Sequence, residues 1–378
     1  GIYMVIRVNF VFDGAAWAPT LICWLGGITA LIAASMAITQ NDIKKVLAYS
    51  TLSQLGYMTM ALGAGAYTAA MFHLTTHAFF KALLFMCAGS VIHGCHHEQD
   101  MRKMGGLKSI MPSTHKTWII GTVALTALAP IAGWWSKDEI LGGLSDTNGV
   151  WGSGFLLLLG IVVAGMTAFY MWRATYMTFA GEYRGDHEAH ESPKVMTVPL
   201  WALAIFSLFI GFIGIPEISA LGVSGANWFE NWLGHWHVGG PAVMHISIAL
   251  ISTAIAWVGF GAARTIYRTS NGADPLPERL GKLWTLWDRK YYIDDFYRWL
   301  VDVVQQGIAK GAWFVERWVL IQGVVNNISQ SVRVSGDKVR RVQAGRVGAY
   351  VTSFILGAAI VGLLVLLQVG MASAAGGK

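Results

Sequence analysis

Charge is what this 378-residue chain has least of: Asp, Glu, Lys and Arg make up 13% of it, against 54% hydrophobic residues and a mean hydropathy of +0.50. An average soluble domain is about 25% charged, so the composition excludes that class and points to the membrane. Cysteine is scarce too, and three scattered residues (Cys23, Cys87, Cys95) exclude a disulfide framework. Cys23 and Cys87 fall inside apolar segments, where no redox or structural role is assigned to them. There is no Gly-rich phosphate loop, no paired-cysteine motif and no nucleophile with its base, so independent redox or hydrolytic chemistry is not expected. The formal charge is +6 and the pI about 9.2, but the basic residues are confined to particular loops, which is no sign of nucleic acid. Residue 1 is Gly, and GIYMVIRVNFVF reads as the tail of an apolar helix without a signal-peptide layout; the expectation is a chain that begins inside a membrane span.

Long apolar runs are what is present, at about 17–39, 46–65, 67–93, 115–145, 152–180, 196–214, 242–267 and 347–369. Most approach the ~20 residues that cross the hydrocarbon layer. Pro130 and Gly133 interrupt 115–145 ahead of WWSKDEI, so this run is expected to be a broken helix, tolerable only where protein or water satisfies its freed backbone groups. Threading the loops alternately to two sides sorts the basic residues. Side A, starting at the loop near residue 42, collects Lys44, Lys45, Arg102, Lys103, Lys108, Lys116, Arg184, Lys194, Arg264, Arg268, Arg279, Lys282, Arg289 and Lys290; side B receives Arg7 and Lys378. The asymmetry predicts that side A is cytoplasmic, or matrix-facing in an organelle. Trp228, Trp232 and Trp236 of a side B loop read as interfacial anchors, and Arg173, near the side A end of its helix, as a snorkelling side chain.

The segment 67–93 carries a lysine, Lys81, in its middle, and His73, His77 and Lys81 follow at i, i+4 and i+8. At about 100° per residue all three lie along one helix face, drifting ~40° per step. Ionisable groups at this depth face a bundle interior or a water-filled cavity and are functional candidates by default. An amine out of water exchanges its proton closer to neutral pH, and histidines make suitable neighbours for relayed protons. Lys137 and Asp138 on the broken helix extend the set. The structural alternative is a lysine paired with a carboxylate and histidines bonded across helices. HGCHHEQD brings His93, Cys95, His96, His97 and Glu98 together, but its spacing matches no common zinc pattern, and it reads as a polar helix terminus. Ser50, Thr51, Ser53 and Gln54 suit helix contacts or a wet interior. From 291 onward charges occur throughout, no proline follows Pro277, and Phe314, Trp318, Ile321, Val325, Ile328 and Val332 form one apolar stripe. This predicts an amphipathic helix of ~75 Å at ~1.5 Å per residue, bent or broken at Gly307, Gly311, Gly323 or Gly336, lying along the membrane surface.

NDIKKVLAYSTLSQLGYM at 41–58, FHLTTHAFFKALLF at 72–85, HHEQDMRKMGGL at 96–107 and GWWSKDEIL at 133–141 closely resemble the antiporter-like subunits of proton-pumping NADH-quinone oxidoreductase, respiratory complex I. The amphipathic stretch and last span resemble the most distal of these subunits, whose lateral helix runs along the membrane arm. The resemblance implies an all-α polytopic membrane protein built from two inverted five-helix repeats, each with a broken helix. The first repeat would lie before residue 1. The expected organisation is the tail of a membrane helix at 1–16, the second-repeat proton-channel bundle at 17–180, additional transmembrane helices at 181–290, the lateral helix at 291–345 and a C-terminal anchor at 346–378. Lys81 matches the family's central lysine with His73 and His77 connecting, and Lys137 matches its terminal lysine. The family keeps flavin, iron-sulfur clusters and quinone on other subunits, so no cofactor or metal is expected on this chain. Expected partners are the lipid bilayer and other membrane-arm subunits, especially the antiporter-like neighbours that a lateral helix contacts. The expected setting is a bacterial cytoplasmic membrane. Two other readings stay open: the large subunit of a multisubunit Na+/H+ antiporter, and a structural clamp whose lateral helix only braces an assembly.

Overall fold

The structure is a computed structural model that describes residues 1–12, 14–147, 149–215, 227–233, 245–268, 272, 274–343 and 345–375. It divides into two units, Gly1–Tyr292 and Ile293–Lys378. Trp236 and Lys378 lie outside the described residues.

The first unit holds α1 (Ile2–Arg7), α2 (Ala18–Thr39), α3 (Ile43–Gly63), α4 (Tyr67–Gly94), α5 (Leu107–Ile110), α6 (Pro112–Leu125), α7 (Ala132–Asp146), α8 (Ser153–Phe179), α9 (Lys194–Phe209), α10 (Trp228–Leu233), α11 (Ile246–Tyr267), α12 (Leu276–Leu280) and α13 (Lys282–Asp288). Among the described residues, α2, α4, α8, α11 and the run Lys194–Ile213 are long and apolar enough to cross a membrane. The run expected at 115–145 is two shorter helices, α6 and α7, and α3 carries Lys44 and Lys45 in its first turn. Asp42 caps α3, its Oδ1 accepting from the backbone N–H groups of Lys44 at 2.8 Å and Lys45 at 3.2 Å.

Lipid gives packed helices no hydrophobic driving force, so close backbone approach must bring them together. Gly26, Ala30 and Gly56 supply it where α2 meets α3: a Cβ on Gly56 would stand 2.6 Å from the Ala30 nitrogen and 2.7 Å from the Gly26 carbonyl oxygen. Backbone atoms cannot step aside as a side chain would. Gly56→Ala is therefore expected to cost about 1–3 kcal/mol by overpacking, read as a lower thermal midpoint in detergent.

The loops gather at two ends of the bundle. At the end with Asp42, the 96–107 loop clasps the start of α3: the N–H of Ile43 donates to Gln99 O at 3.1 Å and that of Met101 to Asn41 O at 2.9 Å. Gly105 and Gly106 (φ +115° and +61°) then carry it across the end of α8, donating to the carbonyls of Thr178 and Ala180. This is why HHEQDMRKMGGL closes on two glycines: a Cβ on Gly106 would stand 2.8 Å from the Tyr183 nitrogen. The opposite end holds the Trp24 indole N–H bonded to Trp151 O at 2.9 Å, the Asp146–His245 pair and α10, on which Trp228 and Trp232 are exposed.

Arg173 departs from the expectation. It is fully buried and does not snorkel. Its guanidinium donates to Gln40 O, Asn41 Oδ1 and Asp274 Oδ2 at 2.6 Å each and to Tyr267 Oη at 3.1 Å, while Tyr267 donates to Asp274 Oδ1 at 2.6 Å. Four acceptor groups from three chain segments close over the cation, so it has no need to reach water.

The second unit is a helix that continues from Ile293 to Val342, through α14 (Ile293–Trp299), α15 (Gln306–Phe314) and α16 (Asn327–Val342), followed by α17 (Val347–Ala375). No break occurs at Gly307, Gly311, Gly323 or Gly336. The departures from α geometry are instead wider π-type turns at Leu300–Gln305 and Val315–Asn326. The stripe residues Phe314, Trp318, Ile321, Val325, Ile328 and Val332 are all exposed, and Val347–Met371 is the most apolar of the candidate spans.

Candidate proton-relay site

Four helices, α3, α4, α7 and α8, bring buried polar side chains together inside the first unit. His73, His77 and Lys81 lie in one file on α4, each no more than 5% exposed. At one end of the file Lys81 Nζ donates to Ser50 Oγ on α3 at 2.7 Å, and Tyr170 Oη on α8 donates to the same oxygen at 2.8 Å. Among the described residues no carboxylate pairs with Lys81 as a salt bridge. The pairing that a purely structural lysine would call for is thus absent from these residues, and a hydroxyl takes its place.

His73 bridges three helices. Its Nδ1 lies 2.9 Å from Ser136 Oγ on α7 and its Nε2 3.1 Å from Gln54 Oε1 on α3; Thr76 Oγ1 also reaches Ser136 Oγ at 2.9 Å. His77 stands between, with its ring centroid 6.1 Å from that of His73, and its buried Nε2 has no hydrogen-bond partner among the described residues. A buried ring nitrogen left open costs stability and is available to a transferred proton.

The helix break positions the second lysine. Residues 126–131 separate α6 from α7 and include the cis Ala129–Pro130 bond. Breaking a helix out of water orphans its terminal carbonyls, and side chains answer them here. Lys137 Nζ donates to Leu125 O at 3.2 Å and Trp135 Nε1 to Pro130 O, within the break, at 3.1 Å. The ammonium thus sits at the negative end of the α6 dipole, over the Tyr57 ring at 5.4 Å. Tyr57 in turn donates to the Gly160 carbonyl. Asp138 points elsewhere, accepting from Ser252 on α11 at 2.7 Å through Oδ1, while Oδ2 has no partner among the described residues.

The structure therefore places His73, His77 and Lys81 in one file and seats Lys137 at the break beside it, with Asp138 turned toward α11. Ser50 and Gln54 enter as bonding partners within the expected polar stretch. Tyr170, Ser136 and Ser252 were not singled out in the sequence; of these only Ser136 carries a local signal, as the residue before Lys137. The HGCHHEQD residues clasp loops. His96 Nε2 lies 3.1 Å from Glu188 O, and the His93 and His96 rings pack on His190. Backbone N–H groups of Asp100 and Gln99, with Lys103 at 3.3 Å, hold the Glu98 carboxyl below its usual range against the opposing effect of burial. Among the described residues no group of three His, Cys, Asp or Glu is placed to hold a metal ion.

Residues 1–167 match the family model described as NADH:quinone oxidoreductase/Mrp antiporter, transmembrane. Over those residues the chain is similar to that antiporter-like family. It is 38% identical over 408 residues to NAD(P)H-quinone oxidoreductase chain 5 of Picosynechococcus, an alignment covering 98% of this chain and 59% of the relative. With NADH-quinone oxidoreductase subunit L of Rhodobacter capsulatus it shares 47% identity over 228 residues, 56% of this chain and 32% of the relative. Against subunit L of Neisseria meningitidis the identity is 34%, over 94% of this chain and 57% of the relative. The chain thus spans less than two thirds of the length of these relatives. The fold is also similar to a chain in the structure of the Mrp complex from Dietzia, with a TM-score of 0.55 at 22% identity, covering 99% of this chain and 36% of that one. The match to a transmembrane family and the apolar helices make it a multi-pass membrane protein.

Proposed function

We propose that this chain is a proton-translocating membrane-arm subunit of NADH-quinone oxidoreductase, driven by NADH oxidation and quinone reduction on other subunits. The observation that carries the reading is the file itself: Lys81, His77 and His73 buried in sequence on one helix and continued by Ser136 at the broken helix. Such groups are costly in a membrane and persist where they serve a pathway. In this reading Lys81 receives a proton and the histidines carry it toward Ser136. Lys137 holds a second proton at the α6 terminus, and repulsion between two like charges out of water drives the handoff. Asp138 tunes the charge beside Lys137. Side A, where the basic loops lie, is the cytoplasmic side of a bacterial membrane, and protons leave on side B. The apolar stripe of the second unit binds neighbouring antiporter-like subunits, with α17 as its anchor in lipid. Flavin, iron-sulfur clusters and quinone reside on those other subunits.

The test is Lys81→Ala in the assembled complex. Protons pumped per NADH oxidised in vesicles are expected to fall while a native gel shows the complex intact. Full pumping would overturn the reading. The Mrp likeness keeps one alternative in view, a large subunit of a Na+/H+ antiporter, which sodium-dependent exchange without NADH or quinone would favour.

A further inference from the structure

Lys81 changes charge in the relay reading, so whatever meets its amine has to serve two protonation states. An ammonium has three donors and no acceptor, whereas a neutral amine carries a lone pair and calls for a donor in its turn. An ionised carboxylate would satisfy the first state alone, because it accepts and cannot donate. The partner present is a hydroxyl. Ser50 Oγ accepts from Lys81 Nζ at 2.7 Å and from Tyr170 Oη at 2.8 Å. Ser50 and Tyr170 are fully buried and Lys81 is 5% exposed. The ammonium also lies over the Phe85 ring, 5.9 Å from its centroid.

With Lys81 charged, two donors point at one oxygen. Both lone pairs of Ser50 Oγ are then filled, and its own hydrogen meets no acceptor among the described residues. With Lys81 neutral, rotation about the Ser50 Cβ–Oγ bond turns that hydrogen onto the amine. Tyr170 then donates to Ser50 and Ser50 to Lys81, and hydrogen bonds in series strengthen one another. The two donors of the charged state compete instead. Tyr170 therefore weighs on the side of the neutral amine.

We propose that Ser50 and Tyr170 form a hydroxyl switch that lets Lys81 give up its proton, with Tyr170 a positioning residue that acts through Ser50. The proposal rests on the relay reading given above. The proton that leaves Lys81 enters the histidine file. Neither hydroxyl loses its own hydrogen, so the amine ends neutral and Ser50 and Tyr170 are unchanged. The frame suits this task. Ser50 and Gln54 stand at i and i+4 on one face of α3, and Gln54 Oε1 lies 3.1 Å from His73 Nε2, so α3 touches the lysine and the far histidine of the file at once. The other titratable groups facing this corner are His77 on α4, Tyr57 on α3 and Lys137 on α7, the last over the Tyr57 ring. Arg173, one turn from Tyr170 on α8, is held by its own acceptors.

The test follows pumping per NADH against pH in intact complexes carrying Tyr170→Phe, Ser50→Ala, Ser50→Thr, Ser50→Ala with Tyr170→Phe, and Lys81→Ala. With Tyr170→Phe the acid limb of the profile is expected to move to higher pH by about half a unit to one unit, the effect of losing one hydrogen bond that favours the neutral amine. Ser50→Ala is expected to lose pumping, Ser50→Thr to recover it, and Tyr170→Phe to cost nothing more once Ser50→Ala is in place. A tyrosine that only braces α8 would lower pumping equally at every pH, and that result overturns the switch. So does a parental profile in Tyr170→Phe while Lys81→Ala has lost pumping. Where Tyr170→Phe does not assemble, Ser50→Ala and Ser50→Thr decide, and equal pumping with equal profiles overturns the switch. Full pumping by Lys81→Ala overturns the relay and the switch with it.

Discussion

His77→Leu is expected to leave the bundle as stable as before, or more stable by about 1 kcal/mol, and at the same time to slow proton transfer by about 10²-fold or more. The two effects have opposite signs for one physical reason. His77 is buried against Phe80 and His73, and its Nε2 has no partner among the described residues, so leucine removes an unanswered polar atom and fills much the same space. A histidine kept only for packing would show the reverse, a stability cost with pumping untouched. Proteins retain such locally unfavourable groups where function needs them. Thermal unfolding of the purified complex and NADH-driven acidification of vesicles, measured on the same preparation, separate the two outcomes.

Arg173→Ala is expected to be severely destabilising, by about 3–5 kcal/mol, because it strands a buried carboxylate. Asp274 is 6% exposed in its side chain and, among the described residues, would keep the Tyr267 hydroxyl and the Leu276 backbone N–H. Gln40 O and Asn41 Oδ1 would lose their donor as well, loosening the turn between α2 and α3. Removing both charges with Arg173→Ala and Asp274→Ala together is expected to cost less than Arg173→Ala alone, since no ion is then left unpaired. Thermal midpoints of the three variants check this. A double variant as unstable as the sum of the singles would show that the two charges act independently.

The sequence made the histidine–lysine file legible because its geometry is local: three residues at a helical period inside one apolar run need no tertiary knowledge. The broken helix was legible for the same reason, through Pro130 and Gly133. What answers those groups was not. Tyr170 lies 120 residues from Ser50, and Asp274 lies 101 from Arg173, and no period connects such pairs. Arg173 was misread because position along a helix does not report whether neighbouring segments close over it. In the second unit, the glycines suggested bends, whereas Ile293–Val342 stays helical and accommodates its irregularity in π-type turns. A glycine within a helix weakens it by about 1 kcal/mol without having to break it.

The central claim is that Lys81 stands upstream of every proton this chain moves. The most direct measurement is pumping per NADH in intact complexes carrying Lys81→Ala, Lys137→Ala and both. Groups in series do not add their losses. The double variant is therefore predicted to pump no less than Lys81→Ala alone, with Lys137→Ala retaining more than either. A double variant that loses further pumping beyond Lys81→Ala would mean that Lys137 moves protons that never reach Lys81, and would contradict the relay.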